Sequence, residues 1–132
     1  MSGFIGFFDG SSHDEKNNII KQMNSKIIHR GPDGESFFTD DNITVGLRYG
    51  TIQGSFPTNE NKNLVIFFDG TIYNSKELTA ELVNKNHIFT TSSYAEVVLH
   101  GYEEYGEEIA SKLRGAFSFV IYNTETHDLF GA

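Results

Sequence analysis

An α+β fold is predicted by three features of the chain. Short apolar and aromatic runs end in Asp- and Gly-containing turns, segments of helical apolar spacing lie between them, and the order is strand, helix, several strands, helix, helix, strand. Clustered strands with intervening helices put sheet and helices in separate layers. At 132 residues the chain is long enough for one compact domain with a real core. Its hydrophobic share of 38% is too high for disorder at a net charge of −8. That acidic balance argues against nucleic acid and anionic membrane surfaces as partners, since both repel it. No apolar run has the length of a membrane span, and the N-terminus lacks the pattern of a signal peptide. The absence of cysteine excludes disulfides, thiolate metal sites and thiol catalysis. The expected compartment is the cytoplasm.

The elements follow in order. Phe4 to Phe8 reads as a strand closed by the Asp9-Gly10 turn. From Asp14 to Ile28, Ile19, Ile20, Met23 and Ile27 fall at helical spacing and predict one buried stripe. Gly31-Pro32-Asp33-Gly34 ends that helix in a rigid turn. Ser36 to Ile52 holds two strands split at Asp40-Asp41-Asn42, the second carrying Ile43, Val45 and Leu47. Leu64 to Phe68 is continuously apolar, which predicts a strand buried on both faces and ending at Asp69-Gly70. Ser75 to Asn84 reads as a helix with Leu78 and Leu82 on one side. Ser93-Tyr94-Ala95-Glu96 has the form of a capping box and opens a helix that Gly106 breaks or kinks. The acidic run Glu103 to Glu108 is expected to be its solvated face. Ala116 to Tyr122 is the last clear strand, and Asp128-Leu129-Phe130 begins another.

Four blocks carry a resemblance: Ser2-Gly3-Phe4-Ile5-Gly6, His29-Arg30-Gly31-Pro32-Asp33-Gly34, Asp69-Gly70-Thr71-Ile72-Tyr73-Asn74 and Arg114-Gly115-Ala116-Phe117-Ser118-Phe119. In this order and spacing they resemble the N-terminal glutaminase domain of asparagine synthetase, a class II glutamine amidotransferase. The resemblance covers residues 1–132 as one glutamine amidotransferase type-2-like domain. It implies the αββα sandwich of the N-terminal nucleophile hydrolases. It stops at Gly131-Ala132, where the family continues into Arg-Asp and further strands, so the sandwich is expected to be trimmed at its C-terminal end. The family's synthetase domain is expected to be absent, and the resemblance implies no cofactor. Open sheet edges would favour self-association.

The family's activity is hydrolysis of glutamine to glutamate plus ammonia for amide transfer. In the family, removal of methionine exposes a first-residue cysteine, whose thiolate attacks the glutamine amide while its α-amine serves as base. Here that position is Ser2, and with Met1 attached its nitrogen is an amide without basicity. The family's oxyanion hole uses an Asn side chain and the next glycine N–H; here these positions are Asp69 and Gly70. An ionised Asp69 accepts only and repels the developing charge. A lost oxyanion donor typically costs about 10²- to 10³-fold in rate.

Tyr49 stands at the family's carboxylate-binding arginine, Thr71 at its glutamate after Asn-Gly, and Tyr94 at the aspartate that binds the substrate amine. Tyr49 supplies no charged fork for a carboxylate, and Arg48 beside it points to the other strand face. Arg30 is retained, and in the family this arginine lies close to the nucleophile. The resemblance therefore implies a catalytically inactive relative, a structural, interaction or regulatory module docking on a synthetase-like protein or domain. The alternative is a serine N-terminal nucleophile amidohydrolase of altered substrate, formed by removal of Met1. A trimmed piece of a larger synthetase is a third possibility. No residue is assigned to a metal, because the five histidines show no ligand spacing along the chain.

Overall fold

The computed structural model describes residues 2–8, 10, 12–50 and 56–132. Asp9 of the first predicted turn, together with Thr51 and Ile52, lies outside the described residues. The chain divides into two compact units, Met1–Phe56 and Pro57–Ala132. Each contains one three-stranded antiparallel sheet and helices packed on it.

In the first unit, β1 (Gly3–Phe8), α1 (His13–Lys26), a 3₁₀ turn (Ile28–Arg30), β2 (Gly34–Thr39) and β3 (Ile43–Tyr49) follow one another. The sheet order is β1-β3-β2, so β3 is central and its Ile43, Val45 and Leu47 are buried. Helix α1 starts where Ser12 Oγ accepts from the Glu15 amide. Its buried stripe is Lys16, Ile20 and Asn24, whereas Ile19 is exposed, which corrects the all-apolar stripe expected from sequence. The polar ends of that stripe have partners that spacing alone does not reveal. Lys16 Nζ donates to the carbonyls of Asp40 at 3.2 Å and Asp41 at 2.8 Å, tying the helix to the β2–β3 turn. Asp40 Oδ1 closes that turn by accepting from the amides of Asn42 and Ile43. Lys16→Met keeps the stem but removes both bonds. It is expected to lower stability by about 2–3 kcal/mol, read from the urea unfolding midpoint.

The second unit runs β4 (Leu64–Ile72), α2 (Ser75–Asn84), α3 (Tyr94–Tyr105), a 3₁₀ turn (Gly106–Glu108), α4 (Ile109–Lys112), β5 (Gly115–Asn123) and β6 (Leu129–Gly131). The sheet order is β4-β5-β6. Helix α3 packs on β4 and α2 on α3. The core forms where Leu64, Ile66 and Ile72 of β4 and Phe119 and Ile121 of β5 meet Leu78, Val97, Val98 and Leu99. Leu64 to Phe67 are all buried, as a run apolar on both faces requires. Gly106 ends α3 at φ 62°, as expected.

The strand does not end at Asp69-Gly70. It pairs on to Ile72↔Gly115, and Asp69 lies opposite Ser118. Asn74 fixes the chain just beyond: its Nδ2 donates to Lys112 O at 2.9 Å and its Oδ1 accepts from the Arg114 amide at 3.0 Å. That double bond holds the end of α4 and the approach to β5. Asn74→Ala is expected to cost about 1–3 kcal/mol in the same unfolding measurement.

Candidate functional site

The residues singled out by the resemblance fall in both units. Ser2, Arg30 and Tyr49 belong to the first, and Asp69, Gly70, Thr71 and Tyr94 to the second.

In the first unit, Arg30 leaves the 3₁₀ turn and its Nε donates to the Ser2 carbonyl at 3.0 Å. It lies against the start of β1, where a Cβ at Gly3 would sit 3.0 Å from the same nitrogen. The two blocks that contain Ser2 and Arg30 are therefore joined at this contact. Tyr49 pairs with Gly34 across β2 and β3, and its ring occupies the space a side chain at Gly34 would take. An aromatic side chain laid over a cross-strand glycine is a packing device of sheets. Arg48 points away from Tyr49, as strand alternation requires. Its guanidinium pairs with Glu35 at 3.0 Å and its Nε donates to Asn24 O at 3.3 Å.

In the second unit, Gly70 has φ 129° and Gly115 has φ 154°. A Cβ on Gly70 would collide with Ala116 O, and one on Gly115 with Thr71 O. The two glycines thus let β4 and β5 approach closely at the Asp69–Thr71 stretch. Asp69 and Phe68 point to opposite faces of β4 by alternation. Tyr94 opens α3 and its ring meets Phe68, with centroids 6.4 Å apart. Phe68 and Tyr94 both pack against the helix-side core, while Asp69 turns to the other face.

Ser93 caps α3, its Oγ accepting from the Glu96 amide at 3.2 Å. The expected reciprocal bond of a capping box is replaced. The Glu96 carboxylate reaches past Ser93 to the amides of Thr90 (2.6 Å) and Thr91 (2.8 Å) and to both threonine hydroxyls. Burial alone would raise this carboxyl, but the bonds from Thr91 and Thr90 outweigh it and hold the group below the ordinary glutamate value.

The glutamates of the acidic run that follows are exposed, as expected, and two of them also have side-chain partners. Glu104 accepts from His87 at 2.9 Å and lies 3.7 Å from Lys85 Nζ, and the His87 bond chiefly holds its carboxyl down. Glu103 lies 3.4 Å from His100, and its second oxygen accepts from Asn59 at 3.4 Å. His87 and His100, thirteen positions apart in sequence, thus meet in space. The legible half of this cluster was Glu96, His100, Glu103 and Glu104, which share a helix face at steps of three and four. His87 arrives on the segment after α2, and no periodicity reports that.

A two-unit α+β chain of this topology, with the Ser2–Arg30 contact and the close approach of β4 and β5 at Gly70 and Gly115, has the features of an N-terminal nucleophile amidotransferase. The family model described as "Glutamine amidotransferase domain" matches residues 1–132, and the chain belongs to that family, in its class II branch. Among curated relatives it is 42% identical to asparagine synthetase [glutamine-hydrolyzing] 1 of Bacillus subtilis, covering 100% of this chain and 22% of that protein. It is 34% identical to asparagine synthetase [glutamine-hydrolyzing] 1 of Arabidopsis thaliana, over 100% of this chain and 23% of that one. The chain thus spans less than a quarter of the length of these relatives. Among solved structures it is similar to glutamine phosphoribosylpyrophosphate amidotransferase from B. subtilis, with TM-score 0.52 and 25% identity over 65% of this chain and 22% of that one. A structure titled as the allosteric regulatory enzyme of purine biosynthesis matches at TM-score 0.51 and 24% identity, over the same 65% and 22%, and speaks to the fold alone. Among the described residues, no helix is long and apolar enough to cross a membrane.

Proposed function

We propose that this domain keeps the amidotransferase scaffold without its glutamine-hydrolysing chemistry and acts as a structural, interaction or regulatory module of a synthetase-like assembly. The observation that carries the reading is the joint replacement at five positions: Ser2, Tyr49, Asp69, Thr71 and Tyr94. Two of the five support it further by their packing. The Tyr49 ring lies over Gly34, and the Tyr94 ring packs on Phe68. Both serve the fold where the family resemblance places charged groups for the substrate's carboxylate and amine. Arg48, the nearest cation in sequence, is held by Glu35 and Asn24. Binding of an amino acid zwitterion without a charged fork or a carboxylate partner forgoes its strongest interactions.

Calorimetric titration with glutamine tests this. No saturable heat is expected, and saturable binding in the millimolar range or tighter would overturn it. The module role is tested by co-expressing the chain with the synthetase polypeptide of its own source. A complex that co-elutes on gel filtration is expected, and separate elution would count against docking.

A second reading rests on the retained contact between Arg30 and the Ser2 carbonyl. In it, removal of Met1 frees the Ser2 amine to serve as base for the Ser2 hydroxyl, and the substrate is an amide other than glutamine. Intact mass of the untagged protein separates the two readings. A mass retaining Met1 leaves this mechanism without its base.

A further inference from the structure

The side chains gathered beside α3 have the geometry of a metal-ion site that is separate from the amidotransferase positions. His87 Nδ1 and His100 Nδ1 stand 3.2 Å apart, and His100 Nδ1 is 3.4 Å from Glu103 Oε1. The three donor atoms all lie within 4.8 Å of one another. Zinc holds imidazole nitrogen at about 2.0–2.1 Å and carboxylate oxygen at about 2.0–2.2 Å. Two such ligands on a tetrahedral ion therefore stand roughly 3.3 Å apart. Both separations match that value.

The outer ring of contacts points the same way. His87 Nε2 is 2.9 Å from Glu104 Oε2, and His100 Nε2 is 3.5 Å from Glu96 Oε1. In the tautomer that carries both ring protons on Nε2, toward the neighbouring carboxylates, the two Nδ1 lone pairs face one another and can share a cation. Carboxylates on the outer nitrogens of metal-bound histidines fix the tautomer and raise ligand basicity in this manner. Glu103 is oriented likewise. Its Oε2 accepts from Asn59 Nδ2, and Asn59 is itself fixed because its Oδ1 accepts from the amides of Asn63 and Leu64, each at 3.0 Å. His100 is buried and its ring packs at a tilt against Phe89 with ring centroids 4.5 Å apart, which restrains its orientation.

We propose that His87, His100 and Glu103 bind a divalent transition-metal ion of the zinc class, with Glu104, Glu96 and Asn59 as their outer partners and a water completing the fourth position. A His₂Glu set is one that zinc accepts. The ion would tie the segment after α2 to the middle of α3.

The test uses the full chain without a histidine tag, treated with chelator and titrated with Co²⁺. The expected result is one equivalent bound with the visible bands of tetrahedral Co²⁺, displaced by Zn²⁺. His87→Ala should abolish the bands. Glu103→Gln, which replaces the charged ligand oxygen by a neutral one, should weaken binding and shift the bands. Both side chains are at the surface end of the cluster, and far-UV circular dichroism checks that each variant folds. His13→Ala, at an exposed histidine outside the cluster, should leave the bands unchanged. Absence of bands in molar excess of Co²⁺ would overturn the proposal, as would bands that survive in both cluster variants. So would an NMR demonstration that His87 and His100 share a proton that Zn²⁺ does not displace.

Discussion

Alanine at Gly115 is expected to destabilise the second unit by about 3 kcal/mol, and Gly70→Ala by a similar amount. Gly115 sits at φ 154° and Gly70 at φ 129°, conformations that an L side chain adopts only under strain. Strain is compounded by collision. In both cases the added Cβ runs into a backbone carbonyl of the facing strand, which cannot rotate away as a side chain would. The sheet must then splay where β4 carries Asp69 and Thr71. Gly70 lies opposite Phe117 and Gly115 opposite Ile72, two positions along the same pairing, so the double variant should fall short of the sum. Urea unfolding midpoints of the two single variants and the double variant measure this. A loss below about 1 kcal/mol for Gly115→Ala would contradict the close approach.

Glu96→Gln is expected to cost about 2–3 kcal/mol near neutral pH. The carboxylate accepts from the Thr90 and Thr91 amides and from both threonine hydroxyls, while a glutamine offers one acceptor oxygen and turns an NH₂ toward the remaining donors. The loss should depend on pH with a definite sign. Hydrogen bonds from Thr91 and Thr90 hold the folded carboxyl below its ordinary value against the opposing effect of burial. A depressed folded pKa contributes stability that is fully present above the unfolded value, about 4.3 for glutamate. That contribution is lost as pH falls through the folded pKa. The difference between wild type and Glu96→Gln should therefore be constant from pH 7 to about pH 5.5 and shrink steadily below about pH 4. A difference independent of pH over that range would mean the carboxylate charge contributes nothing.

The elements governed by local rules were legible in the sequence. Ser75–Asn84 reads as a helix because Leu78 and Leu82 repeat on one side, and these are the side chains it buries. Gly106 breaks α3 through the positive φ that only glycine adopts freely. What was not legible depends on groups far apart in the chain. Lys16 is charged and was not counted in the buried stripe, yet the turn carbonyls of Asp40 and Asp41 make its burial favourable. Asp69-Gly70 has the composition of a turn, yet the strand continues through it because Gly70 has no Cβ to strike Ala116 and Phe117 of β5. In the sequence Tyr49 and Tyr94 stand only as replacements at binding positions, and their packing on Gly34 and Phe68 is visible only once the strands are paired. His87 and His100 join through the path of the segment after α2, which no spacing rule describes.

Glutamate release from glutamine by the untagged protein, its N-terminus established by intact mass, is the most direct test of catalytic silence. The expected rate equals that of Ser2→Ala and of a buffer control, whether or not Met1 is present. Restoring the thiol alone, by Ser2→Cys, should leave the rate at that background, because Asp69, Tyr49, Thr71 and Tyr94 remain. Glutamate release above background that disappears in Ser2→Ala would contradict the proposal outright.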